Sequence, residues 1–159
     1  MKVCVCSDSH GRSERLIEVL NREQPELCFF LGDGARDLEA ARAQFPRLVF
    51  YAVRGNCDLR SRLPQELVCA VGGVTVFAAH GHRYEVKHDH SLRALRRAAR
   101  EADADVVLFG HTHLPALERH AGVLFLNPGS LGGVRRSYGV LTLEDGRVRA
   151  ELKSLCEGE

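Results

Sequence analysis

At 159 residues, 45% of them hydrophobic and 27% charged, the chain has the make-up of a globular protein. It reads as one domain spanning 1–159, long enough to bury a core without staples. A formal charge of +1 excludes bulk attraction to nucleic acid or acidic lipid, so any handling of an anion has to come from a local site.

Six cysteines (Cys4, Cys6, Cys28, Cys57, Cys69 and Cys156) show no C-x-x-C spacing, which excludes a zinc ribbon and a thioredoxin-like motif. Most lie inside apolar runs, where a free thiol behaves as a small hydrophobe, and this points to a reducing compartment, the cytoplasm. Only Met1-Lys2 precedes the first apolar run, so no signal peptide is expected. No run approaches membrane-spanning length.

In chain order, Val3 to Cys6 reads as a short strand that ends in Ser7-Asp8-Ser9-His10-Gly11. Asp8 and His10 stand at i and i+2, a spacing by which an extended segment offers two ligands to one ion. Capping of the next helix by Asp8 or Ser9 is the plainer reading of the same residues. Leu16, Ile17, Val19 and Leu20 set among polar positions predict an amphipathic helix over 12–23, stopped by Gln24-Pro25. Leu27 to Leu31 is a second strand, ending in Gly32-Asp33-Gly34, where flanking glycines leave a carboxylate open to a ligand or simply make a turn. A helix over 37–45, closed by Pro46, leads to a third strand, 48–53, ending in Arg54-Gly55-Asn56-Cys57-Asp58.

Continuously apolar strands alternating with helices predict βαβ units and a parallel central sheet covered on both faces. Open α/β sheets place their sites outside the carboxyl ends of the strands, and Asp8, His10, Asp33 and Asn56 all occupy that edge. Strands at 65–71 and 74–79 are joined by Gly72-Gly73, and the second leads to His80-Gly81-His82. A polar loop is expected over 83–89. A helix spanning Leu92 to Ala102 carries Arg93, Arg96, Arg97 and Arg100 along one face, most simply a solvated stripe diluted by Glu101 and Asp103. Val106 to Phe109 is a buried strand ending in Gly110-His111-Thr112-His113, two imidazoles able to reach one point or two adjacent ones. Strands at 116–119, 123–126, 137–143 and 147–155 follow as two hairpins, expected to form a second, mixed or antiparallel sheet. Asn127-Pro128-Gly129-Ser130 between them reads as a rigid turn with free backbone donors.

Taken together, Asp8-x-His10, Gly32-Asp33, Gly55-Asn56, His80 and Gly110-His111-x-His113 resemble the ordered motifs of the calcineurin-like metallophosphoesterase superfamily over nearly the whole chain. The compact length, Gly55-Asn56-Cys57-Asp58 and Asn127-Pro128-Gly129-Ser130 resemble its small bacterial and archaeal phosphodiesterase branch. The resemblance implies an α/β fold, a four-layer α/β/β/α sandwich of two mixed sheets flanked by helices. It implies that Asp8, His10 and His113 bind one metal and Asn56, His80 and His111 a second, with Asp33 bridging. It also implies hydrolysis of a small phosphoester, most readily a diester, by a metal-bridging hydroxide.

Mixed oxygen and nitrogen ligands suit borderline divalent ions, Mn²⁺ first, with Fe²⁺, Ni²⁺ or Zn²⁺ as alternatives, rather than Ca²⁺. Two such ions against two carboxylates leave a cationic site that suits an anionic ester. Many superfamily members carry a histidine after the asparagine, helping to bind phosphate or protonate the leaving group. The residue there is Cys57, a poor stand-in for an imidazolium, and Asp58 is left without an obvious partner. Asn56 and Cys57 are the candidate substrate contacts; His82 is a further proton-donor candidate whose plainer reading is a loop histidine. His88, His90 and His120 belong to no motif. The competing class is a protein-interaction scaffold of the same fold with little or no catalysis. A nuclease using the arginine stripe is a weaker third. Pocket walls are expected from loops 57–65, 81–90 and 130–137. Relatives are often dimers, which leaves a homodimer open, although no self-complementary stripe stands out.

Overall fold

The computed structural model describes residues 1–155; Cys156 lies outside the described residues. The chain runs β1 (Lys2–Cys6), α1 (Ser13–Glu23), β2 (Leu27–Phe30), α2 (Ala35–Gln44), β3 (Val49–Ala52), β4 (Glu66–Val71) and β5 (Val74–Ala79). After one 3-10 turn at His82–Tyr84 come α3 (Arg93–Glu101), β6 (Val106–Leu108), β7 (Ala116–His120), β8 (Val123–Asn127), β9 (Ser137–Glu144) and β10 (Arg147–Ser154). Among the described residues these strands form two five-stranded sheets, ordered β10-β9-β1-β2-β3 and β4-β5-β6-β8-β7.

The layering follows from the two-residue period of a strand. Val3 and Val5 of β1, with Leu27 and Phe29 of β2, point inward against Val74, Val76, Ala78, Val106 and Leu108 of the second sheet. The alternate residues Cys4, Cys6, Cys28 and Phe30 point outward and are covered by Leu16, Val19 and Leu20 of α1 and Leu38 and Ala41 of α2. On the far side Phe77, Val107 and Phe125 of the second sheet are covered by Leu95 and Ala99 of α3. Helix, sheet, sheet and helix therefore stack in four layers, as the resemblance implies. Among the described residues no helix is long and apolar enough to cross a membrane.

Two expectations need correction. The closing strands do not make a sheet of their own. β7 and β8 extend the second sheet, while β9 inserts antiparallel beside β1, pairing Val3 with Leu141 and Val5 with Gly139, and β10 follows as the edge. The central sheet is accordingly mixed rather than parallel. The physical reason lies in β9, buried at nearly every position, which a strand can be only with a neighbour on each side and a cover on each face; β10 alternates and suits an edge. Helix α2 also begins two residues early, at Ala35, because the Asp58 carboxylate accepts from the N–H groups of Gly34 (3.1 Å) and Ala35 (3.0 Å) and supplies the missing cap.

Candidate metal centre

The candidate residues stand where strands of both sheets give out, and the backbone turns sharply there. Asp8, His10, Asp33, His111 and His113 all adopt positive φ, between 44° and 69°. That region is disfavoured for residues with a Cβ, by about 1 kcal/mol each, and clusters where surrounding structure holds a strained site together. The restraints are visible. Asp8 N–H donates to Gly32 O (2.9 Å), His10 N–H to Asp33 O (3.0 Å), and Gly110 N–H to His80 O (2.8 Å). The strand ladders thus continue past the sheets and lock the loops to one another. Gly55 is needed at this junction, since a Cβ on it would stand 2.0 Å from Asp33 Oδ1.

Six of the seven proposed ligands meet in two adjoining groups: Asp8, His10 and His113, and Asp33, His80 and His111. Asp8 Oδ1 lies 3.1 Å from His113 Nε2, 3.6 Å from His10 Nε2 and 3.7 Å from His80 Nε2. Asp33 Oδ2 lies 3.2 Å from His80 Nε2 and 3.9 Å from His10 Nε2. Two ligand atoms each about 2.1 Å from one ion stand about 3.0–3.4 Å apart at right to tetrahedral angles, so the shorter spacings fit a shared cation. Asp8 Oδ1 and His80 Nε2 are buried with no hydrogen-bond partner among the described residues. Buried polar atoms left so are rare, and two converging from different elements need a common partner.

The orientation of each ligand is fixed from behind. Asp8 Oδ2 accepts from Ser7 Oγ (2.5 Å) and His111 N–H (3.1 Å), which leaves Oδ1 to face the cluster. His80 Nδ1 is 2.6 Å from Leu31 O; a carbonyl can only accept, so this nitrogen carries the proton and Nε2 presents a lone pair. Burial opposes a charge on His80, but the neighbouring carboxylates of Asp33 and Asp8 outweigh that and raise its pKa. Asp8 is held well below the usual carboxylate range: burial works against ionisation and is overcome by His10, His113 and His80. Burial and the His80 charge lower His111 to about 4, so its ring is neutral near pH 7.

Asn56 and Cys57 are exposed beside these groups, and Asn56 Nδ2 contacts Cys57 Sγ at 3.6 Å, leaving the amide oxygen available. The Cys57 thiol groups with His10 and Asp33, and its N–H donates to Asp33 Oδ1 (2.8 Å). Burial and the negative charge of Asp33 push the thiol pKa up, so Cys57 is a neutral neighbour and not a cation. His82 belongs to the 3-10 turn, with its ring centre 5.5 Å from that of His80 and 6.1 Å from that of His111.

Sequence reading missed the supports. Asp58 has four partners, not none: Asp33 N–H (2.8 Å), Gly55 N–H (2.9 Å) and the two N–H groups that open α2. The Asn127–Ser130 turn is likewise a brace rather than a set of free donors. Asn127 Nδ2 donates to Gly110 O and Thr112 Oγ1, Ser130 Oγ donates to Asp8 O (2.7 Å), and Leu131 N–H and Gly132 N–H donate to Ser7 O and Asp8 O. Polar residues next to the ligands were the only available signal. A cavity of about 960 Å³ opens from Asp33 and Cys57 between α2 and residues 57–63; the first expected pocket loop lines it, loops 81–90 and 130–137 do not.

Comparison with known proteins gives a consistent answer. The calcineurin-like phosphoesterase superfamily domain matches residues 1–146. A probable metallophosphoesterase of Bacillus subtilis, YsnB, is 38% identical over 150 residues, covering 91% of this chain and 86% of its own. The phosphodiesterase YfcE of Escherichia coli is 30% identical over 171 residues, covering 89% and 87%. A crystal structure of a predicted phosphoesterase from Streptococcus pneumoniae superimposes with a TM-score of 0.78 at 27% identity, covering 96% of this chain and 88% of that one. With the family matched across nearly the whole chain and the fold shared, this chain belongs to the calcineurin-like phosphoesterase superfamily and is a metal-dependent phosphoesterase.

Proposed function

We propose that the protein is a phosphodiesterase that works with two divalent transition-metal ions, Mn²⁺ foremost, with Fe²⁺, Ni²⁺ and Zn²⁺ as alternatives. Asp8, His10 and His113 hold one ion, Asn56, His80 and His111 the other, and Asp33 is shared. The observation that carries this is the pair of buried, unpartnered atoms Asp8 Oδ1 and His80 Nε2, 3.7 Å apart and ringed by further nitrogen and oxygen donors. When bound, such ions supply a water deprotonated at neutral pH and positive charge for the phosphoryl oxygens.

The side chains of this protein do the rest. Ser7 and the His111 N–H occupy one oxygen of Asp8 so that the other is presented; Leu31 O fixes the His80 tautomer. His10 and His113 remain partly exposed, at 35% and 45%, which leaves the approach open to a phosphoester. Preference for diesters is supported by the phosphodiesterase name of the Escherichia coli relative and by Cys57, which offers no imidazolium for a poor leaving group. Three buried free thiols, Cys4, Cys6 and Cys28, support a reducing, cytoplasmic setting.

The test is metal analysis of the purified chain together with hydrolysis of a chromogenic phosphodiester and monoester, with and without Mn²⁺. Metal-dependent turnover, faster on the diester, is expected. Bound metal without turnover of either ester would favour the scaffold or a substrate outside these two esters.

A further inference from the structure

Beside the metal centre lies a cavity that shares only Asp33 and Cys57 with the hydrolytic site. The cavity that opens at Asp33 and Cys57 is walled by α2 on one side and residues 57–63 on the other, and Arg36, Arg42, Arg60 and Arg62 line it. Four acidic residues, Asp33, Asp37, Glu39 and Asp58, line the same cavity, and each has partners of its own; Asp33 faces the metal centre and accepts from the Cys57 N–H. Asp58 is surrounded by its four backbone donors, and Asp37 Oδ2 accepts from Ser9 Oγ (2.5 Å) and Gly11 N–H (2.9 Å). Glu39 pairs with Arg42 at 3.2 Å. Among the described residues Arg36, Arg60 and Arg62 take part in no ion pair, so three guanidinium groups on the walls of one cavity are left without a carboxylate partner.

The wall that carries two of them is held in place. Arg54 N–H donates to Pro64 O (2.8 Å), Ser61 N–H to Asp58 O (3.1 Å) and Leu63 N–H to Ser61 Oγ (3.1 Å), while Asp58 anchors the start of the segment. Arginine is the side chain suited to phosphate, and a volume near 960 Å³ is at the upper end of small-molecule sites, well beyond one phosphate group.

The geometry points to a subsite for a second phosphate: the substrate is a small phosphodiester whose arm beyond the scissile phosphorus carries at least one further phosphate, bound by Arg36, Arg60 and Arg62. This rests on the proposed phosphodiesterase function. The arginines of α3 serve as a control, because Arg93 and Arg97 are paired with Asp89 and Glu101 on another face.

Calorimetric titration of the metal-free full chain with inorganic tripolyphosphate tests the subsite without turnover. Combining Arg36→Gln, Arg60→Gln and Arg62→Gln is expected to weaken binding at least about ten-fold, and the Arg93→Gln, Arg97→Gln pair to leave it within about two-fold. All five positions are exposed, so both variants are expected to fold, which circular dichroism checks. With Mn²⁺ present, kcat/KM for a nitrophenyl ester of a nucleoside triphosphate, divided by that for bis(p-nitrophenyl) phosphate, is expected to fall at least about ten-fold in the triple variant. Binding of ATP beside tripolyphosphate tells whether the site reads phosphate alone or a nucleoside as well; either meets the proposal. Tripolyphosphate binding insensitive to the three substitutions, or an unchanged kinetic ratio, overturns it. Failure of every diester to turn over would instead defeat the functional reading, with the calorimetric result still deciding the subsite.

Discussion

The first sheet buries carboxylates at both of its ends, and the two ends treat them in opposite ways. At the amino end of β1, Glu23 is buried but fully answered: Lys2 Nζ lies 2.7 Å from it, Lys153 Nζ 3.0 Å, and Tyr138 OH donates at 2.7 Å. At the carboxyl end, Asp8 and Asp33 pair with histidines and with no lysine or arginine among the described residues, and Asp8 Oδ1 has no hydrogen bond there. A buried carboxylate with its cations supplied by the chain is a structural group. One whose cations are missing from the chain is a site for cations from outside. The same residue type thus separates architecture from function by what surrounds it.

The sharpest way to break this comparison is to neutralise one acid at each end. Asp33→Asn removes the shared ligand without changing size, and metal-dependent kcat/KM should drop about 10³-fold or more, several kcal/mol of transition-state stabilisation. Thermal stability of the metal-free protein should fall only modestly, because burial and the charge of Asp8 oppose the Asp33 charge and are outweighed by His80 and the Cys57 N–H. A clear loss of stability with activity retained would reverse the roles of the two ends.

Asp58 is a third case, a buried acid answered by backbone alone. Asp58→Ala strips four N–H groups of their acceptor, and about 3 kcal/mol of stability should go, a fall in Tm of about 6–12 °C. Metal affinity should weaken about 10–100-fold as Asp33 loses its support. Metal affinity unchanged in a destabilised variant would confine Asp58 to the fold.

These supports mark the boundary of what could be read from residues in a row. Asp8, His10, Asp33, His80, His111 and His113 were legible because each follows an apolar run, and a strand end is where an α/β sheet exposes ligands. The α/β class and most strands were legible for the same reason. Asp58 was not, since its partners are backbone groups of residues 33–35 and 55 that come together only on folding. Nor was the position of β9, whose apolar run fits the middle of either sheet until β1 is seen to lack a second neighbour. The arginine-lined cavity escaped because Arg36 and Arg60 sit on opposite walls, 24 residues apart.

Glu23 gives the reciprocal of the Asp33 result. Burial acts to raise its pKa, but hydrogen bonds from Lys2, Tyr138 and Lys153 prevail and bring it down to about 2 from 4.5. A carboxylate depressed in the folded state adds stability above its unfolded pKa and loses it as pH falls through the folded one. Wild type should therefore exceed Glu23→Gln by about 2 kcal/mol near pH 7, or about 4–8 °C in Tm, after discounting for the partly exposed lysines. That gap should close as pH falls from about 4.5 to about 2, while activity per folded molecule stays level. A gap independent of pH would mean the loss comes from packing and not from charge.

The smallest expected effect concerns Cys57, at the open side of the metal centre. A thiol whose pKa burial and Asp33 push up is a weaker proton donor to a departing alkoxide than an imidazolium, so Cys57→His should speed hydrolysis of an unactivated diester while leaving a nitrophenyl diester unchanged, the latter needing no proton. General acids contribute about 10²–10⁴-fold when well placed, yet about ten-fold is expected. The reason is Asp58: both of its oxygens are committed to backbone N–H groups, so it cannot also orient an imidazole at position 57. The new ring would be held only by proximity to Asp33, with much of its freedom intact. A full 10²-fold gain would show that Asp58 can divide its hydrogen bonds, and no gain on the unactivated ester would show that proton delivery is not what Cys57 withholds.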